Sequence, residues 1–420
     1  MLYPIISTIR KCLLVLTVYL IFNGWEIFSK SKSEALYMYA NLTTFSIWVI
    51  FLMGAVILSP IGRIFCALCP IGEVNYVFSK IGLKKKINLD FSWLQGISLI
   101  LIFILVIVFH ISLHPHHTSL LIFIALISAV ILGILFNGNS FCLLLCPANA
   151  FLKFYARFSF LDINCNENAI IKTPCMVFIN PCNHKRGQCH LCLRCFQKSE
   201  GIQLKFSSPF DNNQQLLSNS DFFVFSILFG LTFMAFIRVV REFREWFVYP
   251  PYLISEILNL NEAYLIYAII LTGVIIYPIV FILLISALKS IFLKKPFVET
   301  IKTTTEHLIL PILSIHYILA FIKINSRIGF LPLIFKDPQG KETVTLYQLS
   351  KIDIPPDIIP IQFSKYLILL IPLIALFAFF YYLKTTIINK KAFIIHFLPV
   401  FIFTLFIETC IIMWLFRGFL

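Results

Sequence analysis

The chain has 420 residues, of which 59% are hydrophobic and only 13% are charged. Soluble domains contain about 45–50% apolar residues, so the composition excludes an ordinary soluble domain and indicates an integral membrane protein. The formal net charge is +14. In a membrane protein Lys and Arg collect in the loops that stay inside the cell, and we therefore expect no nucleic-acid partner.

Nine apolar segments approach or exceed the length that crosses a membrane, which is about 20 mostly apolar residues. They are residues 12–28, 43–60, 93–111, 118–136, 222–240, 263–287, 307–322, 366–383 and 393–416. The sequence therefore predicts an all-α integral membrane protein with about nine transmembrane helices.

The basic residues predict the orientation of these helices. With the amino terminus inside the cell, the inside segments hold 22 of the 34 Lys and Arg residues and the outside segments hold 12. Because positive charge accumulates on the inside, we predict an N-in, C-out protein of the inner (cytoplasmic) membrane. Ten of the twelve cysteines would then face the cytoplasm, where disulfides are rare and metal binding is favoured.

Two similar cysteine units follow the second and fourth predicted spans: "FCALCPIGEV" at 65–74 and "FCLLLCPANAF" at 141–151. Spans 1–2 and 3–4 therefore form a repeat of one orientation, and such repeats are related by an axis along the membrane normal. A four-iron cube needs four thiolates and each copy offers two, so we predict one shared 4Fe–4S site. Its ligands are Cys66, Cys69, Cys142 and Cys146. Lys80 and Arg157, each ten residues after a unit's proline, are expected to offset the negative charge of the cluster.

The run "CHLCLRC" at 189–195 contains Cys189, Cys192 and Cys195. A C-x2-C-x2-C run binds three irons of one 4Fe–4S cluster, whereas zinc rarely uses so tight a triplet. Ser199 stands where bacterial ferredoxins have a further cysteine. The fourth ligand is therefore expected upstream, and the candidates are Cys165, Cys175 and Cys182.

The predicted spans and motifs divide the chain into three parts. Residues 1–160 form a four-helix membrane repeat, residues 161–206 form a cytoplasmic, ferredoxin-like iron–sulfur insertion, and residues 207–420 form a five-helix membrane domain with an outside loop at 323–365. The polar stretch 207–221 indicates the last boundary.

Three ionisable side chains lie within predicted spans, namely His316, His396 and Glu408. Ionisable groups at that depth are costly and are functional candidates by default. We expect His396 to snorkel to the inner surface, and Glu408 is the candidate for proton or quinol chemistry.

Residues 43–205 resemble the NapH/NosR/CcoG-type membrane polyferredoxins, which carry two C-x3-C-P units at the cytoplasmic ends of spans and then a ferredoxin-like cysteine segment. "CLLLCPANAF" fits the family unit closely, and "CALCPIGEV" has one residue fewer between its cysteines. "TPCMVFINPCNHKRGQCHLCLRC" is similar to the segment that leads to the triplet, with Met176 where the family has proline. The resemblance points to Cys175 as the fourth ligand of the triplet, which gives two 4Fe–4S clusters per chain.

The resemblance implies a membrane-integral protein that relays electrons between 4Fe–4S clusters at the cytoplasmic face and a quinone or a membrane or periplasmic redox partner. Such a protein is an electron-transfer subunit of a hetero-oligomeric oxidoreductase complex. One alternative is a maturation factor that supplies electrons or metal while a membrane metalloenzyme is assembled. Another is a transporter or scaffold with structural metal. The sequence has no Gly-rich nucleotide fingerprint and no C-x-x-C-H haem site, so electrons are expected to pass through partners or quinone.

Overall fold

The structure is a computed structural model, and it describes residues 2–26, 34–85, 92–170, 175, 177, 182, 187–197, 199–208, 217–239, 241–259, 261–387 and 389–415. Within these residues the chain is mostly helical. Met176 and most of the predicted boundary 207–221 lie outside the described residues.

The amino-terminal half contains long apolar helices, several short helices and two strands. Its elements are α1 (Leu2–Trp25), α2 (Glu34–Ala40), α3 (Leu42–Phe45), α4 (Leu52–Ile57), α5 (Ile64–Leu68), α6 (Pro70–Ile81), α7 (Ser92–Ile107), α8 (Pro115–Leu135), α9 (Ser140–Leu144), α10 (Pro147–Tyr155), β1 (Leu161–Ile170) and β2 (Glu200–Phe206).

The carboxy-terminal half is helical throughout its described residues. Its elements are α11 (Asn219–Val239), α12 (Arg241–Ile257), α13 (Glu262–Leu271), α14 (Tyr277–Leu293), α15 (Phe297–Arg327), α16 (Leu331–Lys336), α17 (Lys341–Gln348), α18 (Ile361–Thr386) and α19 (Lys390–Leu415).

Six helical segments in the described part of the chain are long and apolar enough to cross a membrane: Tyr3–Trp25, Pro115–Leu135, Tyr264–Leu293, Phe297–Lys336, Gln362–Thr386 and Lys390–Leu415. Three shorter apolar helices, Leu42–Ile57, Trp93–Ile107 and Ser220–Met234, coincide with the other three predicted spans. Several helices thus have the length and composition of membrane spans. The count of nine and the N-in, C-out orientation stay predictions.

The described chain divides into two compact units. Unit 1 comprises residues 1–98, 105–214 and 320–358, and unit 2 comprises residues 99–104, 215–319 and 359–420. The cysteine-rich segment therefore belongs to the same unit as predicted spans 1, 2 and 4 and the two ends of span 3. The predicted outside loop 323–365 also lies mostly in unit 1, which differs from its predicted grouping with residues 207–420.

Contacts between the ends of unit 1 explain why that loop belongs there. The side-chain amide of Asn23 donates to the Pro338 carbonyl at 3.0 Å, and that of Asn41 donates to the Gln339 carbonyl at 2.9 Å. Gly340 has a φ of +74°, and a Cβ there would lie 3.0 Å from the backbone of Ala40. The loop therefore folds onto α2 and α3 through buried polar contacts that hydropathy does not reveal.

Unit 2 is a bundle of helices with an aromatic core. Phe229 of α11 packs edge-on against Phe281 and Phe403, with ring centroids 5.4 Å away in each case. Gly230 permits α11 to lie against the wide helical turn between α13 and α14, since a Cβ there would lie 2.3 Å from the Val274 carbonyl oxygen. The small residue is required because two backbones meet at this point.

The cysteine-rich segment begins and ends in a pair of strands that the all-α prediction missed. Strand β1 pairs antiparallel with β2, with Ile163 opposite Leu204 and Cys165 opposite Ile202. The alternating runs "LDINCN" and "IQLKF" are the signal of half-buried strands. Their apolar face packs on Ala67 of α5, which brings the segment to the first Cys-Cys-Pro unit.

Candidate metal centre

Both Cys-Cys-Pro units share one backbone geometry. The second cysteine is extended, with φ −62° and ψ 119° at Cys69 and φ −66° and ψ 112° at Cys146, because a proline disfavours helical backbone in the residue before it. The proline then opens the next helix, where its missing N–H costs nothing. Each proline therefore separates two helices and places the second cysteine at a helix amino terminus.

The sulfur of each second cysteine accepts hydrogen bonds from the first N–H groups of the following helix. The donors are Ile71 and Gly72 for Cys69, and Ala148 and Asn149 for Cys146. Such bonds lower the thiol pKa, as helix amino termini do, and hydrogen bonds to sulfur tune the potential of iron–sulfur clusters. The two units are thus equivalent in backbone and in donor pattern.

Asn75 of α6 holds the two units together. Its side chain is fully buried, donates to the Ala129 carbonyl at 2.6 Å and accepts from the Phe141 N–H at 3.2 Å. At the start of α6, a Cβ on Gly72 would lie 3.5 Å from the Cys142 sulfur. The amino termini of α6 and α9 therefore meet, as the shared-site prediction requires.

The four thiols of these units act on one another electrostatically. Burial, and next the neighbouring Cys69 and Cys66, raise the pKa of the Cys146 thiol to about 12. Burial also raises the pKa of Cys142 well above its ordinary value, and Cys146, Cys69 and Cys66 raise it further. Cys142 and Cys146 pack among apolar side chains that include Phe141. The four thiols therefore lie close to one another, and burial is the main cause of the raised pKa of Cys69, Cys142 and Cys146.

The triplet follows a backbone that side chains rarely adopt. Leu191 and Leu193 have φ values of +50° and +55°, and left-handed backbone is uncommon outside glycine. Left-handed residues alternating with others build concavities of N–H groups that bind anions and iron–sulfur centres. Consistent with this, the Leu191 N–H donates to the Cys189 sulfur at 3.3 Å.

Cys175 lies beside the triplet. Burial, and next Cys192 and Cys175, raise the pKa of the Cys195 thiol to about 12. Burial raises the pKa of Cys189 well above its ordinary value, with Cys192, Cys175 and Cys195 adding to it. The structure therefore brings together the four cysteines of the second predicted set.

The other two candidates for the fourth ligand are joined to each other. Cys165 and Cys182 form a disulfide with their Cα atoms 5.1 Å apart. The expectation that a reducing compartment leaves all these cysteines unpaired is wrong for this pair. That expectation considered the compartment and not which cysteines the fold brings together. Strand pairing places Cys165 at the last regular position of the β1–β2 ladder, where it lies next to Cys182. None of the eight predicted ligands takes part in a disulfide.

The triplet is fastened to both Cys-Cys-Pro units. The Arg194 guanidinium donates to both oxygens of Glu73 on α6, at 2.8 and 2.7 Å. His190 shares a hydrogen bond of 3.2 Å with Asn149 on α10. Burial, then Arg63 and Arg10, lower the pKa of His190 well below its ordinary value, so this histidine is neutral. Each unit thus contributes one polar anchor from the first turn of the helix after its proline.

Three buried arginines surround the thiols. Arg10, Arg63 and Arg194 are 2%, 3% and 5% exposed. Glu73 is the carboxylate that pairs with Arg10, at 3.0 Å, and with Arg194, at 2.7 Å. Arg63 instead donates to backbone carbonyls and lies 3.5 Å from the Cys66 sulfur.

This charge balance tests whether an iron–sulfur cluster fits the residues. The Nε atoms of Arg63 and Arg194 have no partner among the described residues, and three guanidiniums face one carboxylate. A buried charge without a partner costs several kcal/mol. Thiolates bound to iron would supply the missing negative charge, so the residues fit a thiolate-ligated cluster.

One cavity in unit 1 is lined by six of the eight predicted ligands, with Arg10, Glu73 and Arg194 on its wall. The six are Cys66, Cys69, Cys175, Cys189, Cys192 and Cys195. In the described part of the chain, no three His, Cys, Asp or Glu side chains stand in the geometry of a preformed metal site. These six thiols therefore line one cavity, but they do not stand in the arrangement of a preformed metal site.

Sequence reasoning chose the wrong basic partner in the first unit. Lys80 is exposed, with its ammonium 4.8 Å from the ring centroid of Tyr76. The charges that act on the thiols are those of Arg10, on Cys69, and Arg63, on Cys142. Arg63 lies three residues before Cys66 and was visible in the sequence, whereas Arg10 comes from α1 and carries no local signal.

Replacing Glu73 with glutamine should lower the free energy of unfolding by about 3 kcal/mol, because it leaves two buried guanidiniums without their carboxylate. The side chain of Glu73 is 16% exposed, which places the effect at the low end for buried pairs. Thermal unfolding of the purified chain measures it. Glu26→Gln, the same change at an exposed position of unit 1, is the control and should change stability by less than about 0.5 kcal/mol. Equal effects of the two substitutions would contradict the assignment.

Comparison with known protein families, with curated proteins and with solved structures gives no match for this chain.

Proposed function

We propose that this chain is a membrane-integral iron–sulfur protein that relays electrons between two 4Fe–4S clusters and a quinone or a redox partner in or beyond the membrane. Cys66, Cys69, Cys142 and Cys146 would hold one cluster. Cys175, Cys189, Cys192 and Cys195 would hold the other. The proposed site faces the cytoplasm from the inner membrane, and the chain acts within a hetero-oligomeric complex.

A bound cluster of this kind takes up and releases an electron. The chain's own residues would hold it and set its surroundings. Arg10 and Arg63 place positive charge beside the thiols, and helix-terminal N–H groups donate to the sulfurs of Cys69 and Cys146. Apolar side chains around Cys142 exclude water. Charge, hydrogen bonds to sulfur and exposure are the variables that set cluster potentials.

The observation that carries the proposal is the shared cavity. Cys66 and Cys69 of the first set line the same space as all four members of the second set. A structural zinc site uses one closed set of four ligands, and it gives no reason for a second set at its wall. Two neighbouring sets of four thiols suit a relay in which an electron passes from one cluster to the next.

Isolation of the tagged chain from solubilised native membranes tests the functional assignment. We expect a redox subunit to co-purify in stoichiometric amount and to reduce or oxidise the clusters when its own substrate is added. If the chain co-purifies only with incompletely assembled forms of a metalloenzyme, the result would instead favour the maturation factor. Recovery with no redox protein and no reducible metal would contradict both.

A further inference from the structure

Three ionisable side chains from three helices meet inside unit 2, whereas every cysteine of the proposed clusters belongs to unit 1. They are Lys289 near the end of α14, His307 in α15 and His396 in α19. The two imidazole rings lie 4.8 Å apart between centroids at an interplanar angle of 89°. The charge of Lys289 acts on both rings, so the ammonium lies near them. The expectation that His396 snorkels to the surface is wrong, since it is 8% exposed.

Four polar atoms of this cluster have no hydrogen-bond partner among the described residues. They are Nζ of Lys289, Nδ1 of His307, Nδ1 of His396 and Oγ1 of Thr304. Each of these residues is more than nine-tenths buried, and Lys289 is 2% exposed. Thr304 lies one turn before His307 on the same face of α15. Buried polar groups are nearly always paired, so four open atoms in one place indicate a ligand.

The charge of the cluster indicates an anion. Lys289 has neither a hydrogen bond nor an ion pair within the described chain, and an isolated buried ammonium is costly unless an anion accompanies it. Glu306 adjoins His307 in sequence, but adjacent helix residues do not face each other. An ammonium, two imidazoles and a hydroxyl offer several donors, which suits an anion with several acceptor oxygens, such as phosphate.

The position of the cluster indicates where that anion comes from. Short connections join α14 to α15 and α18 to α19. Because His307, near the start of α15, is in ring contact with His396, near the start of α19, the four helix ends lie on one side of the bundle. Lys289 is five residues before Lys294, about 7 Å along the helix, and His396 is six residues after Lys390, about 9 Å. His307 is ten residues after Phe297, the start of α15, or about 15 Å. The cluster therefore lies about one to three turns inside the helix ends.

This end of the bundle is basic and aromatic. Its lysines are Lys294, Lys295, Lys302, Lys384, Lys390 and Lys391. The Lys295 ammonium pairs with Glu299 at 2.7 Å. Phe379 and Tyr382 of α18 line His307, with ring centroids 5.3 and 6.4 Å away. Basic pockets between membrane helices on the cytoplasmic side bind acidic lipid head groups, and the N-in orientation predicts that side for these helix ends.

We propose that Lys289, His307, His396 and Thr304 form a phosphate-binding site for the head group of an acidic phospholipid. A free phosphate ion has the same chemistry, and the experiment separates the two sources. The site lies in unit 2 and does not depend on the iron–sulfur proposal. Its role is to bind lipid at the basic end of the bundle.

The test uses the full chain in detergent with phosphatidylglycerol, phosphatidylcholine or inorganic phosphate. Native mass spectrometry measures retained lipid, and thermal unfolding measures stabilisation. We expect the wild-type chain to retain phosphatidylglycerol selectively and to be stabilised by it. Lys289→Met should weaken this binding at least about tenfold, the effect of losing one charge-assisted hydrogen bond. Lys351→Met, the same change at an exposed lysine of unit 1, is the control and should change it less than about twofold.

The outcomes separate the proposal from its rivals. Stabilisation of the wild-type chain, but not of Lys289→Met, by inorganic phosphate alone supports the site and assigns it to soluble phosphate. Equal retention of phosphatidylglycerol by the wild-type chain and by Lys289→Met overturns the proposal. The proposal is also overturned if the wild-type chain retains phosphatidylcholine as well as it retains phosphatidylglycerol. If Lys289→Met does not fold, His396→Phe keeps the ring and removes its polar atoms. Wild-type lipid retention by that variant would then overturn the proposal.

Discussion

Replacing Cys69 or Cys146 with serine is expected to remove one and the same reducible cluster and to lower the iron content from about eight to about four per chain. The reason is that the two Cys-Cys-Pro units meet: Asn75 of α6 binds the backbone at Phe141, and Gly72 lies against the Cys142 sulfur. Each unit supplies two thiols, and neither can surround a four-iron cube by itself.

EPR of the reduced protein and iron analysis measure this outcome. Cys12→Ser is the matched control, because Cys12 is a free, exposed cysteine of unit 1 outside both predicted sets; both signals and all the iron should remain. If Cys69→Ser and Cys146→Ser removed two different signals, the shared site would be wrong. Each unit would then serve a separate cluster.

Replacing Cys175 with serine should remove the other cluster and leave the first intact. Cys175 is the cysteine outside the triplet that acts electrostatically on Cys189 and Cys195, and a serine oxygen is a poor iron ligand beside thiolates. The loss should again be about four irons per chain. It should be confined to the EPR signal that survives in Cys69→Ser.

Cys182→Ser is the control for Cys175→Ser. Cys182 is bonded to Cys165, so its replacement should leave iron content and both EPR signals unchanged. Loss of a signal in Cys182→Ser together with an intact spectrum in Cys175→Ser would move the fourth ligand seven residues along the chain. It would also mean that the disulfide is absent from the loaded protein.

Hydropathy located the helices well because the membrane imposes length and composition on each span. All nine predicted segments overlap apolar helices of the structure. Their ends were less predictable: α1 begins at Leu2 and α15 runs from Phe297 to Arg327, beyond the apolar windows. Polar residues at these ends are held by contacts within each unit, to which hydropathy is insensitive.

The sequence predicts which thiols lie together where the signal is a repeated motif or a short spacing between cysteines. The matched Cys-Cys-Pro units predicted that four cysteines meet, and their shared backbone follows from the proline after each second cysteine. The choice of Cys175 came from resemblance alone. The residues themselves left Cys165 and Cys182 open, and strand pairing at Cys165 settles where that residue lies.

The polar residues around the thiols were missed because their partners are far away in sequence. Arg10 and Glu73 are separated by 63 residues, and Arg194 and Glu73 by 121. No window-based pattern connects such positions. The strands were missed for a different reason. Their alternation of apolar and polar residues is present in the sequence, but the runs are short and adjoin the cysteine segment, which was interpreted for metal ligands only.

Lys289 shows why a count of Lys and Arg per loop can mislead. It lies two residues after the predicted span 263–287 and was therefore counted with the inside segments, yet the structure buries it within α14. Arg10, Arg63 and Arg194 were counted toward the same bias and are buried as well. Part of the basic excess therefore serves interior sites, and the charge bias that supports the N-in orientation is weaker than the count suggests.

Iron and sulfide analysis of the anaerobically purified full chain, combined with an EPR redox titration, determines whether the chain holds two iron–sulfur clusters. We expect about eight irons per chain and two reducible 4Fe–4S signals. Zinc in place of iron, or bound iron that yields no reducible signal at any potential, would contradict this expectation.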